Sequence, residues 1–288
     1  MRLVKKSVNQ DVPDTYHLFY ADEAGTPGTD LTFFPWPKLP PTTLGVGFTV
    51  EVPLTIPTGS LSYWRERLAR FKVATGAVGT RFGETVLPFT DPHGLALALI
   101  ESPNAPATVP WAASNVPAEH QVRGMHSVRL CERSVSATAA LLTRVLGFEK
   151  VGVEDGWHRY AVEGGGPGRW IDLKENATAP TGEWGVGGVH HVAWRVTDPT
   201  EELALRKLIA AAGLQPTPPI DRFWFQSVYF REPGGALFEL ATDGPGFARD
   251  EDLAHLGEKL VLAPWLEAQR PAIEAGLQPL VMPAKEAA

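Results

Sequence analysis

Two residues, one imidazole and one carboxylate, stand in strand-like sequence where a polar side chain would be buried. His191 lies in the alternating run 189–196, and Glu239 lies in the run 233–240, directly after Phe238. A carboxylate buried among apolar side chains is costly unless a partner neutralises it, and a divalent cation held by both groups would do so. The alternative is a carboxylate at a strand edge and a hydrogen-bonded core histidine. The pair therefore predicts a metal site and leaves a structural alternative open.

The composition limits the ligands and partners that are available. Cys131 is the single cysteine, so a metal site must use imidazole and carboxylate, and a nucleophilic thiol is the alternative role of that residue. The net charge is −7 and the basic residues are dispersed, which argues against nucleic acid and anionic membranes as partners. No run reaches the ~18 apolar residues of a membrane helix and no signal-peptide core follows the basic N-terminus, so we expect a cytoplasmic protein.

The elements that would position this pair recur four times along the chain. Each copy has a hairpin turn followed by an alternating apolar strand. The four turns begin at Pro27, Pro92, Pro167 and Pro233. Opening strands are predicted at 46–52, 125–130 and 189–196, each followed by an amphipathic helix. The clearest helix has Asp198 as N-cap, Pro199 at its first position and Gly213 as its stop. The repeating unit is therefore βαβββ.

A single βαβββ unit leaves one apolar face of its sheet open, so we expect the units to pair around shared clefts. The predicted fold class is α+β, with four tandem βαβββ modules, the first incomplete, paired into two open-barrel-like domains. A stretch rich in proline and alanine at 103–117 predicts the boundary. The prediction is an N-terminal domain of modules one and two at 1–112, a metal-bearing domain of modules three and four at 118–246, and a helix-containing tail at 247–288.

Comparison of the modules with one another singles out the fourth. Matching the hairpin turns places Phe33, Ala98 and Leu173 at the position of Glu239. The same matching places Ser127 at the position of His191. On this alignment only the fourth module combines a histidine with a carboxylate, so modules two and three are predicted to be structural.

Two segments of the fourth module also resemble a known family. Residues 188–194, Gly-Val-His-His-Val-Ala-Trp, and residues 232–239 resemble the metal-bearing strands of the glyoxalase/bleomycin resistance/extradiol dioxygenase superfamily, the vicinal oxygen chelate proteins. Segments 3–11, 25–28 and 33–37 resemble its hydroquinone-type ring-cleaving dioxygenases, and the resemblance runs over nearly the whole chain. It implies a dioxygenase that uses Fe(II), with Mn(II) as the alternative metal, to cleave a hydroquinone or catechol-like diol with dioxygen.

The resemblance assigns roles to five residues. In the family two histidines and one glutamate hold the iron, and His191 and Glu239 match two of these three ligands. His190 matches a position beside the ligand, and Arg222 and Tyr229 match positions near the substrate. Tyr229 and His190 would handle protons, and Arg222 would stabilise negative charge. The structural alternatives are an ion pair of the arginine with the aspartate before it and a core position for the tyrosine.

The third ligand should be a histidine on an opening strand of module one, and this chain has no such strand. Residues 1–6 align with the segment that follows the helix of module three, so the chain begins about two dozen residues into the module. We expect the natural protein to start further upstream, and the alternative is that the chain is truly short. We expect this chain to be metal-poor and slow or inactive. His17 has the parity of Phe19, which aligns with Tyr229, so His17 is expected to face the cleft as the candidate for a substitute ligand.

Two other functions would use the same fold. A glyoxalase-like isomerase or lyase would need a second carboxylate ligand, and Phe33 occupies the place where module one would supply it. A metal-free protein that sequesters a planar aromatic compound, as resistance proteins of the superfamily do, would bind its ligand in the presence of a chelator without consuming oxygen. A homo-oligomer is expected by analogy alone.

Overall fold

The computed structural model describes residues 1–280. Module one contributes the strands β1 (Arg2–Val8), β2 (Tyr16–Ala21) and β3 (Leu31–Phe33). Module two contributes β4 (Phe48–Pro57), α1 (Leu61–Arg70), β5 (Gly79–Arg81), β6 (Glu84–Thr90) and β7 (Ala96–Ser102). Module three contributes β8 (Ser127–Glu132), α2 (Val135–Arg144), β9 (Glu149–Glu154), β10 (Trp157–Ala161) and β11 (Trp170–Glu175). Module four contributes β12 (Val192–Val196), α3 (Pro199–Ala211), β13 (Ile220–Asp221), β14 (Gln226–Arg231) and β15 (Leu237–Thr242). The predicted α+β class and the βαβββ unit of modules two to four are confirmed.

Helix α3 shows how individual residues determine where a helix begins and ends. The side chain of Asp198 accepts hydrogen bonds from the backbone N–H groups of Thr200 and Glu201, which the first helical turn leaves without helical partners. Pro199 stands at the first helical position, and Gly213 after the helix has a φ of +88°, a conformation that favours glycine. The predicted beginning and end of this helix are therefore confirmed.

The sheets join the modules in an order that the sequence did not predict. Modules two and three form one eight-stranded sheet, β5-β6-β7-β4-β8-β11-β10-β9, in which the opening strands β4 and β8 pair antiparallel at the centre. The prediction that modules one and two share one cleft and modules three and four share another is therefore wrong at the level of strand pairing. The reason is that the backbone groups along the edges of β4 and β8 hydrogen-bond to each other. This pairing joins the modules on either side of the proline-rich segment that was predicted to be a domain boundary.

Modules one and four face each other in the other half of the molecule. Their sheets are β1-β2-β3 and β12-β15-β14-β13, and Phe19, Trp224 and Phe247 pack together between them. Modules three and four also share an apolar core, to which α2 contributes Leu142 and α3 contributes Ile209. Module four thus packs on module three with its helix side and on module one with its cleft side.

The tail lies against module one. It contains short 3₁₀ turns and the helix α4 (Arg270–Gly276), and its Leu262 and Ile273 pack on Val8 of β1. The predicted helical content of the tail agrees with these elements, and residues 281–288 lie outside the described part of the chain. No helix among residues 1–280 is long and apolar enough to cross a membrane.

Buried ion pairs occupy the interior of the half formed by modules two and three. Arg159 makes two hydrogen bonds to Asp172, of 2.8 and 3.0 Å, and both side chains are almost fully buried. Arg129 of β8 donates to Glu51 of the facing strand β4 at 2.7 Å, and its Nε lies 3.7 Å from Asp172. The hydrogen bond from Arg129 to Glu51 crosses the seam between the two modules, and Asp172 lies beside it.

Removing the carboxylate of Asp172 should strongly destabilise the protein. The substitution Asp172→Ala leaves two arginines buried with reduced compensation, and breaking such a pair costs about 3–5 kcal/mol in the free energy of unfolding. The matched control is Glu163→Ala, which removes an exposed ion pair with Arg169 and should cost less than about 1 kcal/mol. Urea unfolding followed by circular dichroism measures both, and equal losses would contradict the role of the buried pairs.

A second buried acid lies where module three meets the hairpin turn of module four. Glu132 is 0% exposed, neither of its carboxylate oxygens has a hydrogen-bond partner among the described residues, and the backbone of Gly234 lies directly against it. Burial, together with the negative charge of Glu232, raises the pKa of Glu132 from 4.5 to about 8. The folded protein therefore holds this proton more tightly than the unfolded chain.

This acid should make the stability fall as the pH rises. A raised carboxyl pKa gives stability that is fully present below pH 4.5 and is lost as the pH rises towards 8. The variant Glu132→Gln should therefore be more stable than the wild type at pH 9, by about 2 kcal/mol or more, and similar to it at pH 5. The measurement is urea unfolding at both pH values, with the exposed Glu163→Gln as control. The same pH dependence in Glu132→Gln as in the wild type would refute the assignment.

Candidate metal and substrate site

The two predicted ligands meet at the edge of the sheet of module four. Glu239 is the third residue of β15, and its backbone pairs with Ala193 of β12 on one side and with Tyr229 of β14 on the other. His191 precedes Ala193 by two residues and so shares its face of the sheet. The histidines lie just before β12, which begins at Val192, and not within the strand as predicted. The reason is that Val192 pairs with Phe238 near the beginning of β15, and the turn that precedes β15 gives the residues before Val192 no strand partner.

The geometry brings the imidazole and the carboxylate into direct contact. Nε2 of His191 lies 2.9 Å from Oε2 of Glu239, and Glu239 is only 3% exposed. The hydroxyl of Ser227 donates a hydrogen bond to the other carboxylate oxygen. Burial opposes the charge on Glu239, but His191 and these hydrogen bonds outweigh it and lower the pKa of this carboxyl. The site therefore keeps a buried carboxylate ionised.

These two residues fit a divalent metal at two ligand positions. Two ligand atoms at right angles, each about 2.1 Å from an ion, lie about 3 Å apart, which agrees with the 2.9 Å between Nε2 and Oε2. Among residues 1–280, no three His, Cys, Asp or Glu side chains are placed to hold one ion. His17 lines the cleft, as predicted, but it is not placed as a substitute third ligand, because β2 holds it away from the pair.

His190 lies behind the ligand histidine. Its Nδ1 is 2.8 Å from Nδ1 of His191, and burial together with the charge of His191 lowers the pKa of His190 to about 4. A neutral His190 can accept a hydrogen bond from the Nδ1–H group of His191. That arrangement leaves a lone pair on Nε2 of His191, the atom that faces Glu239. The prediction that His190 lies beside the ligand agrees with this contact.

Arg222 and Tyr229 stand together at the mouth of the cleft. Arg222 donates two hydrogen bonds of 2.9 Å to Asp11 of module one, and its guanidinium lies 5.6 Å from the centre of the Tyr229 ring. Asp221 does not pair with Arg222; it accepts a hydrogen bond from the backbone of Phe223 instead. Burial and the charge of Glu239 raise the pKa of Tyr229, so its hydroxyl stays protonated. The tyrosine ring packs edge-on against His191, with centres 5.8 Å apart.

An aromatic wall completes the cleft, and sequence reasoning did not identify it as part of the site. Phe34 stacks on Trp36 with ring centres 4.6 Å apart, and Trp36 meets Trp184, which in turn packs edge-on against His190 at 5.2 Å. With His17 these rings line a cavity of about 530 Å³ that reaches His191 and Tyr229. The cavity is large enough for a small aromatic molecule.

The strand register corrects the alignment of the modules by one residue. Asp172 pairs with Arg129, and Arg129 follows Ser127 by two residues as Ala193 follows His191. Asp172, and not Leu173, therefore stands at the position of Glu239. In module one Phe19 pairs with Thr32, so Thr32 and not Phe33 matches Glu239 if Phe19 matches Tyr229. The turns differ in local geometry, and a slip of one residue moves a side chain to the other face of a strand.

Cys131 has no part in this site. It lies on β8, outside the residues that line the 530 Å³ cavity and outside those that line a second cavity, of about 1260 Å³, which reaches Glu239. Burial, together with the nearby Glu132, raises the pKa of its thiol, which disfavours the nucleophilic thiolate.

Removing the candidate ligand His191 should abolish specific metal binding. Loss of a residue that only supports a ligand already costs 10–100-fold in metal affinity, so loss of the ligand itself in His191→Ala should cost more than about tenfold. The matched control is His93→Ala, which removes an exposed imidazole in module two. Calorimetric titration with Fe(II) or Co(II) under anaerobic conditions measures both, and unchanged affinity in His191→Ala would place the metal elsewhere.

Comparison with known proteins gives the family. Residues 124–240 match the model of the glyoxalase/bleomycin resistance protein/dioxygenase superfamily. The chain is 40% identical over 279 residues to MhqO of Bacillus subtilis, a protein named as a ring-cleaving dioxygenase, covering 97% of this chain and 88% of that protein. It is 34% identical over 274 residues to the chlorohydroquinone/hydroquinone 1,2-dioxygenase of Sphingobium indicum, covering 92% of this chain and 84% of that enzyme.

A solved structure extends the likeness to three dimensions. A crystal structure named as a dioxygenase from Bacillus subtilis superposes with a TM-score of 0.92 at 40% identity, covering 97% of this chain and 89% of that chain. The similarity includes module one, which the superfamily model does not reach. The chain therefore belongs to the ring-cleaving dioxygenases of the glyoxalase/bleomycin resistance protein/dioxygenase superfamily.

Proposed function

We propose that this chain binds an aromatic diol of the hydroquinone type in the cleft between modules one and four and cleaves its ring with dioxygen at an iron held by His191 and Glu239. The observation that carries the proposal is the contact of 2.9 Å between these two residues, of which His191 lines an aromatic cavity. The name of the Sphingobium enzyme supports the diol class. Fe(II) is the proposed metal, and Mn(II) is the alternative.

The side chains around the pair would divide the work. When bound, the metal supplies Lewis-acid polarisation of a diol hydroxyl and a path for electrons to dioxygen. His190 orients His191 through the contact between their Nδ1 atoms. Ser227 and Tyr229 flank Glu239 and fix its orientation. The cleft wall of stacked rings excludes water from the face of the substrate.

Tyr229 and Arg222 would act on the substrate itself. The protonated Tyr229 hydroxyl is a hydrogen-bond donor and can pass a proton to an oxygen that gains negative charge. The guanidinium of Arg222 lies over the ring of Tyr229 and can stabilise the negative charge on that oxygen. Asp11 holds the guanidinium in a fixed plane by two hydrogen bonds, so the arginine is preorganised.

A metal-free binding protein is the second candidate. The observation that favours it is that the described residues offer two donors for an ion and not three. The aromatic cavity would serve either function. The two functions differ in whether ligand binding needs the metal and whether oxygen is consumed. The cytoplasmic location and the homo-oligomeric state stay predictions.

Oxygen uptake with hydroquinone and added Fe(II) tests the proposal. We expect slow uptake, because two protein ligands hold the ion less firmly than three, and we expect millimolar imidazole to increase the rate by supplying a third donor from solution. Glu239→Gln should lower the rate more than about tenfold with and without imidazole, because the charged ligand is lost. Mass spectrometry of the product with ¹⁸O₂ should show both oxygen atoms in the opened ring.

The controls separate the two candidates. Glu66→Gln, on the exposed face of α1 and outside the residues that line either cavity, should leave the rate unchanged. Hydroquinone binding that persists with a chelator, together with no oxygen uptake under any condition, would establish the binding protein in place of the dioxygenase.

A further inference from the structure

One imidazole in the cleft has no use in the proposed chemistry. His17 lies on β2 of module one, and its ring is held between Phe19 and Phe34, with ring centres 3.8 and 4.1 Å away. Its Nε2 is buried without a hydrogen-bond partner among the described residues. A polar atom buried without a partner costs stability, so such an atom at the wall of a cavity indicates a group that binds there.

The surroundings of His17 show what kind of group would bind. His17 lines the 530 Å³ cavity together with His191, Tyr229 and Trp184. The indole N–H of Trp184 is also buried without a partner in the described part of the chain. Burial, and the positive charges of His191 and Arg222, lower the pKa of His17 well below its ordinary value, so the imidazole is neutral. A neutral imidazole offers one donor and one acceptor, which suits a hydroxyl group.

The position of His17 fits the far end of a bound ring. His17 belongs to the sheet of module one, whereas His191 and Glu239 belong to module four across the cleft. The stacked rings of Phe34 and Trp36 run along the wall between them and favour a planar ligand. A ring whose first hydroxyl reaches the pair in module four would direct its opposite side towards module one.

We propose that His17 hydrogen-bonds the second hydroxyl of the bound diol, the one that points away from His191 and Glu239, and so selects 1,4-diols over monophenols. This inference rests on the proposed function, because it assumes that the first hydroxyl lies at the metal pair. His17 is then a specificity residue that touches the substrate. It leaves the metal pair unchanged.

Equilibrium binding of hydroquinone and of phenol tests the proposal. Phenol lacks the second hydroxyl, so the difference between the two ligands reports on that group alone. Binding is measured anaerobically by quenching of tryptophan fluorescence. His17→Phe keeps a flat ring between Phe19 and Phe34 and removes both nitrogens. It should weaken hydroquinone binding about three- to tenfold, the effect of one hydrogen bond, and should change phenol binding less than about twofold.

Two further variants keep the test decisive if the phenylalanine alters packing. His17→Asn retains a donor and an acceptor, so it should recover part of the preference for hydroquinone over phenol. The control His158→Phe, on β10 outside both cavities, should bind both ligands as the wild type does. Equal weakening of hydroquinone and phenol in His17→Phe, or no weakening of either, would overturn this inference alone. A wild-type protein that binds neither compound would overturn the proposed function as well.

Discussion

The central constraint of this molecule is a carboxylate buried on the last strand of a βαβββ module. It occurs twice, as Asp172 on β11 and as Glu239 on β15, at matching register positions that are 1% and 3% exposed. Arginine side chains neutralise the first, and an imidazole and a hydroxyl serve the second. An arginine satisfies the charge but has no lone pair to donate to a metal ion, whereas a neutral imidazole has one. The carboxylate of the first half is therefore fully engaged by arginines, and the carboxylate of the second half stands beside a group that can bind a metal.

The two halves of the molecule, modules two and three and modules one and four, also differ in the edges of their sheets. In the half formed by modules two and three, the opening strands β4 and β8 pair with each other and close the sheet across its centre. In the other half, β3 and β12 are edge strands among the described residues, and a cavity of about 1260 Å³ lies along them and reaches Glu239. An open edge beside a buried ion pair gives solutes access to it. That access underlies the expectation that free imidazole can reach the metal.

The sequence predicted the local structure and the pairing of His191 with Glu239 better than it predicted contacts between distant parts of the chain. The ends of α3 were predicted correctly because the residues that determine them, from the N-cap Asp198 to Gly213, lie within fifteen residues of one another. The pair of His191 and Glu239 was found because a buried acid needs a partner. The alignment of hairpin turns matched Glu239 with Leu173, whereas the strand register matches it with Asp172. Turns differ in length and geometry, so an alignment based on turns is less exact than the register of paired strands. The contact of Asp11 with Arg222 spans 211 residues, and no local pattern encodes it.

The long range of these contacts also explains where the site lies in the fold. Module one meets module four through Arg222 and Asp11, and it meets the tail through Lys5, which is 0% exposed and paired with Asp250 and Glu251. A lysine buried in this way must keep its partners, because an unpaired buried charge is very costly. The entropic cost of closing a loop grows slowly with loop length. When modules two and three are folded, they also shorten the free chain between module one and module four. The cleft is thus assembled by module one and module four, which are far apart in the sequence, so a change that loosens either module alters the site without touching the candidate ligands.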